Sequence, residues 1–475
     1  MEYFYHLRVY TFSSLQGKNM FAIAVLLGIY SYGIFAIGLL GLLYKNVILV
    51  WSLVLFLISL FYFKKNSSIC LSEYDSKILW RLILVVFVIQ IIINFIGALG
   101  PEIAFDALWY HLTLPKLYLL KHSIDYIPGG LFYYSTMPKL LEMFFVPGLA
   151  FGGEFAAKLI HFFFGILTCA ALYRFSKNKF GRETALITVV VFYSNLVVGW
   201  ESITAYIDLG RTFFEFMALW AFFEWIENKK DALLIKSSIM LGLAISSKAI
   251  ALTSLFIFSF LILYFLWKEN KSLFISLKYL LKFIFLTLLI PLPWFLFSFL
   301  STGNPIYPFF SKYYEILSSA NILNPILFIK SIWNLFMFSS DPISPVYIIS
   351  IPLLFLLPKK IKTQTIILFY YCGLAVIFWA VIPHTGGARF ILPYLPAFSM
   401  LIGVIIRDIL DKRIKKNFII FIVVVTIINA TYRGAANIKY IPYLLGYESK
   451  GEFLTKHLIL CMVIFMILII FSKRT

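Results

Sequence analysis

The chain has 475 residues, 61% of them hydrophobic and only 13% charged, and its 41 Lys and Arg against 22 Asp and Glu give a formal net charge of +19. Soluble globular domains sit nearer half apolar and a quarter charged, so a water-soluble enzyme is excluded. A transmembrane β-barrel, which would alternate in short segments, is excluded as well.

In chain order, apolar runs long enough to span a bilayer are predicted at 20–44, 46–63, 78–100, 155–173, 183–199, 203–225, 232–247, 249–266, 274–299, 346–358, 364–382, 390–406, 417–430 and 457–471. This is an all-α, polytopic integral membrane protein with about 14 transmembrane helices. The first run, about 25 residues, is too long for the core of a cleavable signal peptide and is expected to stay as an anchor. No fixed-period repeat is visible, and the organisation expected is an N-terminal membrane hairpin over 1–77 ahead of a transmembrane domain over 78–475. Cys70, Cys169, Cys372 and Cys461 are far apart and form no disulfide or metal pattern.

Basic residues cluster at Lys64 and Lys65, at Arg174, Lys177, Lys179 and Arg182, at Lys229 and Lys230, at Lys359, Lys360 and Lys362, and from Arg407 to Lys416. A cytoplasmic N-terminus puts every one of these clusters inside, as the positive-inside rule demands. That rule accounts for the net charge without a nucleic-acid partner. Counting 138–153 as a span would throw the cluster at 174–182 outside. With Pro147 in its middle, this run is expected instead as a helix lying on or dipping into the outer interface. The large outer segments are then 101–154, 300–345 and 431–456, all rich in the aromatic residues that mark the membrane boundary.

Ionisable groups near spans are costly, and each is a functional candidate. The outer side gathers Glu102, Asp106, His111 and Lys116 after the third span, then Lys158 and His161. Glu201, Asp208 and Arg211 follow, and Lys248, His384 and Arg389 occupy outer turns. Carboxylates can act as a general base toward a hydroxyl, and Lys or Arg can hold a phosphate as it leaves. Interfacial apolar helices can admit a lipid. Simpler roles exist for several of these groups. Asp106 could cap the following helix. Asp208 and Arg211, spaced i,i+3, could form an intrahelical ion pair. Lys158 could snorkel.

The stretches "DALWYHLTLPKLYLL", "AAKLIHFFFGIL", "ESITAYIDL", "PWFLFSFLSTGNPIYPFF" and "GGARFILPYLPAF" resemble, in their order and shared outer location, the motifs of bacterial GT-C glycosyltransferases. The branch is that of the protein O-mannosyltransferases and the aminoarabinose transferases of lipid A, and the likeness covers most of 78–450. The hairpin before residue 64 is not part of that core pattern. The resemblance implies an acid of the first outer loop as catalytic base, here Asp106. Relatives often place two acids side by side, whereas Ala107 follows Asp106, so a second acid would come from Glu102, Glu201 or Asp208. Lys158, Lys248 and Arg389 are expected at the donor phosphate, with His111, Lys116, His161, Arg211 and His384 at the substrate. Acids on the outer side are scattered, whereas hard cations want several oxygens, so no metal is expected to be required, although a divalent cation could take part. The function implied is transfer of a sugar from a polyprenyl-phosphate donor to a lipid, glycan or protein acceptor at the outer face of the cell membrane, with inversion. A transporter of lipid-linked sugar and a polysaccharide polymerase or ligase are the alternatives.

Overall fold

The computed structural model describes residues 2–66, 78–311, 324–338, 343–358, 362–381 and 387–458. Its elements are α-helices joined by short 3-10 and π turns. Among the described residues, eight helices are long and apolar enough to cross a membrane. A ninth appears if α11 (Leu273–Leu289) and α12 (Leu292–Thr302), bent by 61°, are one broken span. Leu289 and Leu292 flank Pro291, which cannot donate to the helical ladder.

Of the 14 spans expected, eight, or nine with 274–299, meet the test of length and composition among the described residues. The run at 183–199 is two short helices, α6 (Arg182–Tyr193) and α7 (Leu196–Glu201), broken at Asn195. The run at 203–225 becomes α8 (Asp208–Asn228), which carries Asp208, Arg211, Glu215, Glu224 and Glu227. The run at 232–247 is α9 (Asp231–Ser247), 17 residues long. The run at 346–358 is only a helical turn, α14 (Val346–Ile349), followed by a 3-10 turn. Most of 457–471 lies outside the described residues.

The bundle is built around α8, buried almost from end to end. It packs on α9 and on α5 (Glu142–Phe180). Lipid tails are as apolar as leucine, so close packing rather than the hydrophobic effect holds such helices together, and small residues set the approach. A Cβ at Gly210 would meet Leu141 Cδ1 at 2.3 Å, and one at Gly242 would meet Ile290 Cβ at 2.5 Å. The N-terminal hairpin of α1 (Glu2–Leu39) and α2 (Lys45–Asn66) is no separate body: Met20, Phe21 and Ala24 enter the same core as α5 and α8.

The run at 138–153 is helical from Glu142 and breaks at Gly153, whose φ of 72° and ψ of −162° suit glycine. Its face does not lie free on an interface. Leu140, Leu141, Met143, Phe145 and Val146 are fully buried in the protein.

Ionisable groups segregate to the two ends of the bundle. At 1.5 Å per residue, the first and last turns of α8 are roughly 30 Å apart. Its last turn pairs Glu227 with Lys179 and accepts from Gln364 Nε2. Lys229–Glu269 and Lys282–Asp231, each 2.6 Å, lie at that same end. Its first turn, with Asp208, opens toward the cavity described next.

Candidate active site

Past α3 (Ile78–Leu99) the chain runs through Gly100 and Pro101 into a helical stretch that contains the π-turn Ala107–His111. Glu102 sets this entry. Its Oε1 accepts from the N–H groups of Ile103 and Ala104, each at 2.9 Å, and its Oε2 accepts from Ala205 N at 2.6 Å. Burial pushes its carboxyl above the usual range, against Lys158 and those backbone donors. Asp106 follows, and its side chain caps nothing. Its N–H donates to the Tyr206 hydroxyl at 3.2 Å, and its carboxylate meets Arg389 Nη2 at 2.8 Å.

A cavity of about 380 Å³ opens beside this pair, lined by Asp106, His111, Lys139, Glu142, Lys248 and Arg389 together with aromatic rings. Small-molecule sites commonly fall between about 300 and 1,000 Å³. Lys248 reaches it because α9 stops there: its backbone is extended, at φ −157° and ψ 118°. Its ammonium pairs with Asp208 at 2.7 Å and lies over the Phe390 ring. Burial lowers the Lys248 pKa, while Asp208 opposes the shift. Arg389 lies over the Tyr206 ring, 4.9 Å from its centroid, in the field of Asp208 and Glu201 as well as Asp106. On the next wall, Glu142 accepts from His111 Nδ1 at 2.9 Å and stands 4.0 Å from Lys139. Burial lowers the His111 pKa, so the ring is neutral near pH 7. Trp109, Tyr110 and Tyr134 add an aromatic surface.

The fold thus joins Asp106, His111, Lys248 and Arg389, with Asp208 and Glu201 behind the cations. Other candidates have different posts. Lys158 is fully buried and donates to the carbonyls of Gly97, Gly100 and Pro101, at 3.2, 2.6 and 3.2 Å, so it caps α3 rather than facing the cavity. His161 braces the start of α8: Nδ1 donates to the carbonyls of Glu201 and Thr204, and Nε2 accepts from Leu209 N at 3.0 Å. Arg211 does not pair with Asp208. It reaches Tyr394 at 3.2 Å within the bundle, next to Glu215. Lys116 is exposed on α4 (Thr113–Lys121), and His384 lies outside the described residues.

Sequence reasoning missed Lys139, Glu142 and Tyr206. The signal was present in "PKLLE": an i,i+3 ion pair inside an apolar run is costly enough to mark a site. Among the described residues no three His, Cys, Asp or Glu side chains converge as metal ligands.

Residues 145–296 match the family model of the dolichyl-phosphate-mannose-protein mannosyltransferases. The matched stretch begins in α5 and ends in α12. Among solved structures the chain is similar to ArnT from Cupriavidus metallidurans bound to undecaprenyl phosphate, with a TM-score of 0.55 and 15% identity over 77% of this chain and 70% of that one. The apo form of ArnT gives a TM-score of 0.54 at the same identity and coverage. That likeness is one of fold. No curated protein sequence matches the chain.

Proposed function

We propose that the chain transfers a sugar from a polyprenyl-phosphate donor to an acceptor hydroxyl, at the outer face of the cell membrane and with inversion. One observation carries the reading: the carboxylate of Asp106 and the cations Lys248 and Arg389 line one cavity of about 380 Å³ at the end of the bundle away from the basic clusters. The positive-inside rule assigns those clusters to the cytoplasm, and so the cavity to the other side.

Asp106 accepts a hydrogen bond from the acceptor hydroxyl. The hydroxyl oxygen attacks the anomeric carbon from the side opposite the phosphate. As that bond forms, the bond to the phosphate oxygen breaks, its electron pair stays on the phosphate, and the hydroxyl proton passes to Asp106. Lys248 and Arg389 stabilise the phosphate as its charge develops, in a site where water is scarce and preorganised cations count for most. The undecaprenyl phosphate in the ArnT structure supports a lipid-phosphate donor by similarity of fold. The two cations can do the electrostatic work of a metal. Transfer should therefore survive EDTA, and its loss with recovery on adding Mg²⁺ or Mn²⁺ would contradict that point.

The test is product analysis with purified protein and a panel of labelled polyprenyl-phosphate sugars. The reading requires release of polyprenyl monophosphate and a product of opposite anomeric configuration. A retained configuration would remove the single-displacement mechanism, and movement of intact donor across the bilayer would favour a transporter.

A further inference from the structure

The hairpin that precedes the catalytic bundle contacts the backbone behind the cavity. Ser31, buried on α1, donates from Oγ to Leu140 O at 2.7 Å. Leu140 lies between Lys139 and Glu142, and its own N–H donates to Ser246 O at 2.9 Å. The next residue of α1, Tyr32, places its hydroxyl 2.8 Å from Ser246 Oγ and donates to Ile290 O at the bend between α11 and α12. Ser246 is two residues before Lys248. Four segments far apart in sequence thus meet at one polar junction, and the residues just beyond it, Lys139 and Lys248, line the cavity.

The chemistry of lysine gives this junction a purpose. An ammonium on a flexible four-carbon stem is a point charge with no fixed fork, so its position depends on where its backbone is held. Misplacement of a binding group by about 1 Å can cost on the order of 100-fold in rate. Apolar packing would hold α1 to the bundle without hydroxyls, and each hydroxyl put there must find partners or pay for its desolvation. Ser31 and Tyr32 direct theirs to the backbone and side chain next to the two lysines.

We propose that α1 belongs to the catalytic apparatus, with Ser31 and Tyr32 as positioning residues that fix Lys139 and Lys248 at the spacing a lipid phosphate needs. This rests on the reading of the cavity as a phosphate site.

The experiment uses the full chain in lipid nanodiscs, with undecaprenyl phosphate as the probe and hydrogen exchange read in parallel. Tyr32→Phe is expected to raise the Kd for undecaprenyl phosphate about tenfold, equivalent to about 1.4 kcal/mol. It should also speed amide exchange at 139–143 and 245–248. Ser31→Ala should do the same, chiefly at 139–143. Ser59→Ala is the control: Ser59 Oγ donates to Phe56 O at 2.7 Å, one turn back on α2 of the same hairpin, so neither readout should change. Unchanged exchange in Tyr32→Phe, or faster exchange with wild-type affinity, overturns the proposal. Faster exchange in the variant beside a wild-type chain that binds no undecaprenyl phosphate would remove the phosphate reading and keep the junction.

Discussion

The two ends of the bundle carry the same residue types and put them to opposite uses. At the basic end, Lys282–Asp231 is 32% and 56% exposed, Lys229–Glu269 32% and 36%, and Lys179–Glu227 23% and 25%. Such pairs are screened and contribute about 0–1 kcal/mol each. At the cavity end, Lys248–Asp208 is 15% and 1% exposed, Lys139–Glu142 2% and 2%, and Arg389–Asp106 14% and 18%. Removing one partner of a pair that deep leaves a stranded charge, at about 3–5 kcal/mol. Ion pairs by themselves therefore mark nothing in this chain; their desolvation does. The cavity end holds charges at a cost that stability alone does not explain.

The comparison can be broken by substitutions at each end. The largest effect is expected for Arg389→Ala, which strips Asp106 of its partner and the leaving phosphate of a cation. Transfer should fall by about 100- to 1,000-fold, and a rate within threefold of wild type would take Arg389 out of the site. Lys158→Met comes next and acts on folding. It leaves three carbonyls without their ammonium and Glu102 without a nearby cation, so stability should drop by about 3 kcal/mol, read as a lower thermal midpoint in detergent. Unaltered stability would reopen a substrate role for Lys158. The smallest effect belongs to the basic end. Lys282→Ala should shift stability by less than about 1 kcal/mol and leave turnover unchanged; a loss of turnover there would undo the division of labour between the ends.

Much of this was legible in the sequence. Period and hydropathy revealed the membrane class and most of the long helices, and charge placement put Asp106, His111, Lys248 and Arg389 on one rim. Four things were not legible. A one-dimensional reading takes α6 and α7 for one span, because the break at Asn195 costs no apolar residue. Burial direction is invisible, so Lys158 and His161 read as ligands although the fold spends them on carbonyls and on the start of α8. What Lys139 and Glu142 meet was hidden, although their spacing marked them. Their partners come from tertiary packing: His111 lies 31 residues from Glu142. The hairpin reads as an addition to the catalytic domain, yet Tyr32 finds Ser246, 214 residues away.

The most direct measurement is single-turnover release of polyprenyl phosphate by purified Asp106→Asn beside wild type, on a donor that the wild type accepts. Asn keeps the shape and loses the proton acceptor, so the variant should fold, with Arg389 still in the field of Asp208 and Glu201, and release at least about 100-fold more slowly, the lower bound for loss of a general base. Release at the wild-type rate would contradict the assignment of Asp106 and, with it, the reading of the cavity as the place where the sugar changes hands.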